Sequence, residues 1–482
     1  MGDKMDNALF TDFYELTMAQ GYWKEKKELH TSFDMFFRRH PFGSGYSVFA
    51  GLWPLLKKIE NFHFEDEDIR FLKSLNLFDE GFLSYLSSFR FSGDIWAMNE
   101  GSLIFPNEPI VRVEAPIIEA LILEGVILNM INFQSLIATK TARIYSSSNA
   151  GHIMEFGLRR AQGVDGAMSA SRAAFIGGAN GTSNALAAKE FGIPALGTMS
   201  HAWVMSFESE EEAFRSYASL YPKASVFLID TYDAMKSGIE SAIKVGKELE
   251  AQGYKFGVRL DSGDIQYLSQ YVRHRLDEAG CKDAFIAVSN ELDERIIESL
   301  VLNGAPIDSW GVGTHLVTGG DESSFTGVYK LSAYKGSAGW VPTMKVSNNP
   351  AKITTPGIKN VWRLYNSDGS MKADVISLED EKMEEGRSYT FYHPENEWQT
   401  FSFSPSSVTP LLNRVMRSGK IVGEEPSLAK IKAFAMAELN RLDATSKRLL
   451  NPHIYKVSLT KNMKELKMNT LKNLCSVFKK EF

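Results

Sequence analysis

Short apolar runs alternate with amphipathic stretches through the middle of this chain. The runs His152–Gly157, Ala195–Met199, Ser225–Ile229, Phe256–Leu260, Phe285–Val288 and Ser309–Val312 have the length and the polar boundaries of buried strands. Between them, apolar residues recur three and four positions apart over Ala167–Phe175, Ser183–Phe191, Ser209–Leu220, Ala234–Ala251, Gln266–Glu278 and Glu291–Asn303, the spacing of helices with one buried face. Strands separated by helices form parallel sheets through right-handed crossovers. The unbroken repetition predicts an α/β fold, an irregular parallel β/α barrel, closed or nearly so.

The flanks follow other patterns. Asn7–Trp23 carries Leu9, Phe13, Leu16 and Ala19 at helical spacing, with Thr11 or Asp12 placed to cap the helix and Tyr14 on its first turn. Thr31–Arg39 alternates like a strand and ends in two arginines before the loop at Pro41–Gly45. Leu52–Phe62 and Asp66–Leu77 are predicted helices, the second opened by the acidic run Glu65–Asp68, a cap rather than a metal site. Phe91–Pro116 turns to short alternating segments, a small β unit. The β pattern returns at Gly327–Ala333, Val341–Val346, Val361–Tyr365 and Ala373–Ile376, and is expected to pack beside that first unit. From Ser427 the tail is lysine-rich and helical. The expected division is a mixed α+β domain over 1–125, the barrel over 126–325, a β-rich segment over 326–425 and a helical extension over 426–482.

Composition narrows the function. The 482 residues suffice for two or three domains around a large core. A net charge of −6 and a pI of about 5.9 give no general reason to hold nucleic acid or an anionic membrane, so an anionic ligand must be gripped locally. The two cysteines, Cys281 and Cys475, are too few for a disulfide framework or a cysteine zinc site and fit a reducing cytoplasm. Met1–Phe10 has charges and no apolar run, so no signal peptide is expected. The most apolar stretch, Ile117–Ala138, is interrupted by Glu119, Glu124, Asn129, Asn132 and Gln134 and is expected as a buried helix, because such groups are costly in hydrocarbon.

Candidate chemistry gathers where the strands end, the face on which β/α barrels carry their sites. Gly257-Val258-Arg259-Leu260-Asp261-Ser262-Gly263-Asp264 sends an apolar strand into a burst of charge, suited to a polyanion held directly and through hydrated Mg²⁺. Glu155-Phe156-Gly157-Leu158-Arg159-Arg160 adds an aromatic ring and two arginines. The glycine-rich turn Gly177–Ser183, which includes Thr182, has the composition of an anion-binding loop, weak evidence alone. Thr198 stands at the end of the next run and His201 just beyond it, and Asp230-Thr231-Tyr232-Asp233 and Ser289-Asn290 end two more. Gly311-Val312-Gly313-Thr314-His315 suits a second phosphate through backbone N–H groups and the Thr314 hydroxyl. No nucleophilic cysteine, serine elbow or histidine metal cluster is recognisable. Such a mouth is equipped for a substrate carrying phosphate and diphosphate, with an aromatic ring laid on Phe156.

Six stretches in order, Thr11-Asp12-Phe13-Tyr14-Glu15-Leu16-Thr17-Met18, Glu155–Arg159, Gly181-Thr182-Ser183-Asn184, Gly197-Thr198-Met199-Ser200-His201, Gly257–Asp264 and Gly311–Thr314, resemble the nicotinate phosphoribosyltransferase family. The resemblance implies a type II phosphoribosyltransferase-like barrel and a homodimer whose active sites are completed across the interface. It also implies synthesis of nicotinate mononucleotide and diphosphate from nicotinate and 5-phosphoribosyl 1-diphosphate, coupled to ATP hydrolysis, as the first step of NAD salvage. Carried onto this chain, it implies that Phe156 and Tyr14 of the partner subunit sandwich the pyridine. Thr198 and Arg259 address nicotinate, and Arg159, Thr314, Gly311, Gly313 and Thr182 belong to the substrate-binding set. Asp261 and Asp264 face ribose hydroxyls and Mg²⁺-diphosphate, and His201 accepts the phosphoryl group of ATP. Ser183 stands where the related nicotinamide phosphoribosyltransferases have an aspartate, and a neutral residue there favours the acid over the amide. Nicotinamide phosphoribosyltransferase, and a barrel that binds nucleotides without turnover, stay open as alternatives.

Overall fold

The computed structural model describes residues 7–349, 352–396 and 398–478. Residues 1–6, on which part of the no-leader expectation rests, and 479–482 of the predicted helical tail lie outside them. The chain divides into two compact units, one built from 1–135 together with 324–482, the other from 136–323. The division falls at 135/136, ten residues beyond the expected 125/126 and, like it, inside the helix Glu124–Ser147, and the residues of the three expected flanking segments fall in one compact unit.

In the 136–323 unit a six-stranded parallel sheet runs in the order Gly181–Thr182, His152–Glu155, Ser309–Val312, Phe285–Val288, Gly257–Leu260, Val226–Leu228. The first long strand therefore lies beside the last, with Ser309 opposite His152 and Val312 opposite Glu155. This is the winding of a barrel, yet no strand among the described residues pairs with the outer edge of Val226–Leu228, so the sheet stays open at that seam. The expected strand at Ala195–Met199 is reduced to a single bridge between Thr182 and Ala195. Pro194, which lacks an N–H, and Gly197 bracket it, and the ladder ends after Thr182 N–H donates to Pro194 O and Leu196 N–H to Thr182 O. The loop freed in this way carries Thr198.

Each crossover helix buries one stripe on this sheet. Ile265–Glu278 starts where the Asp264 carboxylate accepts from Tyr267 N–H at 3.0 Å, buries Ser269, Val272 and Leu276, and stops before Gly280 at φ 83°. The stretch expected as one helix from Ala234 instead opens with a π turn, Ala234–Gly238, before Ile239–Glu250. A short helix, His201–Met205, was not expected.

The other unit holds two large sheets. In the seven-stranded one, His30–Phe37 is flanked by Val111–Pro116 and Gly327–Gly336, and Asp94–Ala97 by Val111–Pro116 and Asn413–Arg417, all antiparallel. The six-stranded one centres on Lys359–Tyr365 and Met371–Leu378, and the tail expected to be wholly helical inserts Val457–Leu459 beside the latter. Buried charge clamps this unit. Arg363 gives two bonds to Asp374, one to Glu438 and one to the Leu103 carbonyl, all fully enclosed. Among the described residues, Ile117–Ser147 is long and apolar enough to cross a membrane, and 61% of its most apolar window is buried within the chain.

Candidate active site

The strand Gly257–Leu260 buries Val258 and Leu260 and leaves Arg259 between them, half-buried at the sheet's C-terminal edge. Its guanidinium donates to the hydroxyl of Thr198, on the loop that has left the sheet. Burial pulls Arg259 below its ordinary pKa, with Arg159 adding to the effect and Asp261 and Asp230 opposing it. Its Nε is buried without a partner, a donor available to an anionic group.

The residues beyond Leu260 are held by Asp230, whose Oδ2 accepts from Asp261 N–H at 2.8 Å and from Ser262 Oγ at 2.6 Å. Asp261 Oδ1 in turn accepts from Ser289 Oγ at 2.5 Å, while Oδ2 lies 3.7 Å from His201 Nε2. The other imidazole nitrogen, Nδ1, is 3.1 Å from Thr231 Oγ1. One imidazole is thus framed by groups from the ends of two neighbouring strands.

Phe156 follows the strand His152–Glu155, and its ring rests against Gly311. A Cβ on Gly311 would meet Cδ2 and Cε2 of that ring at 2.8 Å. Phe156, Arg159, Arg160, Ser183, Thr198, Arg259, Asp261, Gly311, Gly313 and Thr314 all line one cleft of about 470 Å³, the scale of a small-molecule site. His201 touches it through Asp261.

Three expectations change. Thr182 is buried behind the cleft, and its hydroxyl is spent on Glu155 Oε2 rather than on a ligand. Asp264 is exposed and caps its helix, so Asp261 alone of the pair reaches the cleft. The glycine-rich turn is not an anion loop: the N–H groups of Gly177, Gly178, Ala179 and Asn180 go to the carbonyls of Ala173, Phe175, Ala174 and Ile153. Tyr14 lies in the other unit, about half exposed on the helix Phe13–Glu25.

The cleft also contains residues given no role from sequence. Glu291 lines it and accepts from Thr314 Oγ1 at 3.4 Å, with His315 Nε2 3.5 Å from its other oxygen. Asn290 beside it holds φ 111°, a left-handed backbone that an L-residue adopts at a cost. Asp230 and Thr231 were visible as a strand end, but their partners are set by tertiary pairing. No group of three metal-binding side chains occurs among the described residues.

Models of the nicotinate phosphoribosyltransferase N-terminal domain, family and C-terminal domain match residues 9–132, 151–345 and 358–467. A nicotinate phosphoribosyltransferase of Bacillus subtilis is 41% identical over 479 residues, covering 98% of this chain and 97% of its own. One from Bos taurus is 32% identical over 517 residues, covering 95% of each. The human nicotinic acid phosphoribosyltransferase structure superposes with a TM-score of 0.82 at 30% identity, over 95% of this chain and 99% of that one. A nicotinate-nucleotide pyrophosphorylase from Pyrococcus furiosus shares the fold, with a TM-score of 0.71 at 23% identity over 90% of this chain and 95% of its own.

Proposed function

The chain belongs to the nicotinate phosphoribosyltransferase family, and from that premise we propose that the cleft joins nicotinate to 5-phosphoribosyl 1-diphosphate with ATP hydrolysed through His201. The observation that carries this reading is the convergence of the Phe156 shelf, Arg259 with its unpaired Nε, and the Asp261–His201 pair on one cleft. Phe156 offers a flat face for the pyridine, and Arg259 with Thr198 meets the carboxylate of nicotinate. Held there, the ring nitrogen is aimed at the anomeric carbon, where positive charge develops as diphosphate departs. Asp261 stabilises that charge and binds the ribose, while Arg159, Arg160 and Thr314 grip the phosphates.

The acidic groups fit a hydrated Mg²⁺ carried by the diphosphate. Asp230 keeps Oδ1 buried and unpartnered beside the Asp261 backbone, and a diphosphate-bound ion needs only one or two carboxylates from the protein. Such an ion would neutralise the leaving group. The phosphoryl group of ATP passes to an imidazole nitrogen of His201 and is later lost to water, so ATP hydrolysis draws the synthesis forward. Thr231 and Asp261 orient the ring for this step. The exposure of Phe13 and Tyr14 supports a homodimer in which Tyr14 of the partner subunit closes the shelf. The free Cys281 and Cys475 support placing this enzyme of NAD salvage in the reducing cytoplasm.

The test is a steady-state assay with nicotinate and nicotinamide side by side, with and without ATP. Nicotinate mononucleotide should form, nicotinamide should be poor, and ATP should lower the phosphoribosyl diphosphate needed. His201→Ala should keep basal synthesis and lose the ATP effect, and a variant that retains full coupling would remove the phosphohistidine.

A further inference from the structure

Glu155 is enclosed, 1% exposed, and its carboxyl group accepts three hydrogen bonds behind the cleft. Oε1 accepts from Gly157 N–H at 2.5 Å. Oε2 accepts from Ser171 Oγ at 2.8 Å and from Thr182 Oγ1 at 2.5 Å. The Thr182 oxygen also accepts from Asn184 N–H at 2.9 Å, so its own hydrogen is committed to Glu155. The Glu155 carbonyl accepts from Ser183 N–H at 2.9 Å.

These bonds bracket two residues that line the cleft. Phe156 sits between Glu155 and the Gly157 amide that the carboxyl holds. Ser183 sits between Thr182 and Asn184, both tied to the same network. Gly157 has no slack on its other side, since a Cβ there would lie 2.1 Å from Val317 Cγ1. We propose that Glu155, acting through Thr182 and Gly157, is the positioning residue that sets the ring shelf and the acid-or-amide position as one unit. The proposal rests on the reading of Phe156 as the shelf for nicotinate. It assigns Thr182 a supporting part rather than ligand contact.

A group that only stabilised the fold would affect both substrates alike, whereas this network borders one side of the cleft. Thr182→Val keeps the shape and removes the hydroxyl that links Glu155 to Asn184. It should raise the KM for nicotinate about tenfold, the worth of one lost bond to a buried carboxyl group. The KM for phosphoribosyl diphosphate should stay within about twofold, and the preference for nicotinate over nicotinamide should fall. Thr182→Ser should recover most of what the valine loses. Glu155→Gln, which keeps size but places an amide donor against Gly157 N–H or the hydroxyls, should shift the same two readouts.

Thr182→Val and Glu155→Gln variants that leave the nicotinate KM and the acid-to-amide ratio unmoved, or raise both substrate KM values together, would overturn the proposal. Phe156→Ala separates it from its premise. No rise in the nicotinate KM there removes the shelf, and this inference with it. A rise there, with the Thr182 and Glu155 variants unmoved, removes this inference alone.

Discussion

Gly311→Ala tests the shelf without touching any polar group. Gly311 does not hold a left-handed φ, so the backbone accepts alanine, and the new methyl meets Cδ2 and Cε2 of Phe156 at 2.8 Å and Ser289 Cβ at 3.2 Å. Carbon atoms pack at about 3.5–4.0 Å, so the ring must retreat by roughly 0.7–1.2 Å or the strand must give. Overpacking of this kind costs about 1–3 kcal/mol where the surroundings hold firm. Here the ring borders open cleft, so it moves into the space reserved for nicotinate. A misplacement of about 1 Å in a reacting geometry costs on the order of 100-fold in rate. The kcat/KM for nicotinate should therefore fall about 10- to 100-fold, with a small change in melting temperature. Removing the ring removes the clash, so Gly311→Ala in a Phe156→Ala background should cost little more than Phe156→Ala alone. The double-mutant cycle should show a coupling of about 1 kcal/mol or more. Activity within about twofold of the parent, or an equal loss with and without Phe156, would refute the reasoning.

Ser183→Asp should move preference from nicotinate towards nicotinamide, read as the ratio of kcat/KM values, because a carboxylate at this exposed cleft position repels the acid and accepts from the amide. Burial pushes Glu15, on the helix that carries Tyr14, from its ordinary 4.5 up to about 7, partly offset by the bond from Thr11. A raised value means the folded state binds the proton more tightly, so this contribution is complete below about pH 4.5 and is lost as pH rises through about 7. Glu15→Gln should flatten that dependence in urea melts at pH 5 and pH 8, and an unchanged pH profile would contradict it. Arg363→Leu strands Asp374 and Glu438 in the interior and should cost about 3–5 kcal/mol in equilibrium unfolding.

Much of the parallel sheet is legible in the sequence because Phe285–Val288 and Ser309–Val312 are apolar runs long enough to declare themselves, and Ile265–Glu278 shows its buried stripe. Gly181–Thr182 has no such signature, being two residues inside what reads as a loop, and only pairing with Met154 and Glu155 makes it a strand. Ala195–Met199 shows the converse, an apolar run that Pro194 and Gly197 cut from the ladder. Strand-end position identified Phe156, Arg259 and Asp261 as cleft residues, since side chains there have few other places to go, whereas Thr198 reaches the cleft from a loop rather than from the strand expected to carry it. It did not separate Asp264, taken by its own helix, or Thr182, taken by a carboxyl group upstream. Nor did it mark Glu291, whose partners are later in the chain. Local spacing carries no record of which neighbour claims a polar side chain.

The chain path of the first unit has a consequence for synthesis. His30–Phe37 requires Gly327–Gly336 as its neighbour, a segment made roughly 300 residues later, while everything in 136–323 is complete beforehand. At about 5–20 residues per second the early strand waits on the order of 15–60 s with one edge unpaired. The inserted unit is thus placed to mature on the ribosome first, and the unit assembled from both flanks of the chain is the one that a holdase chaperone would protect while that edge is bare.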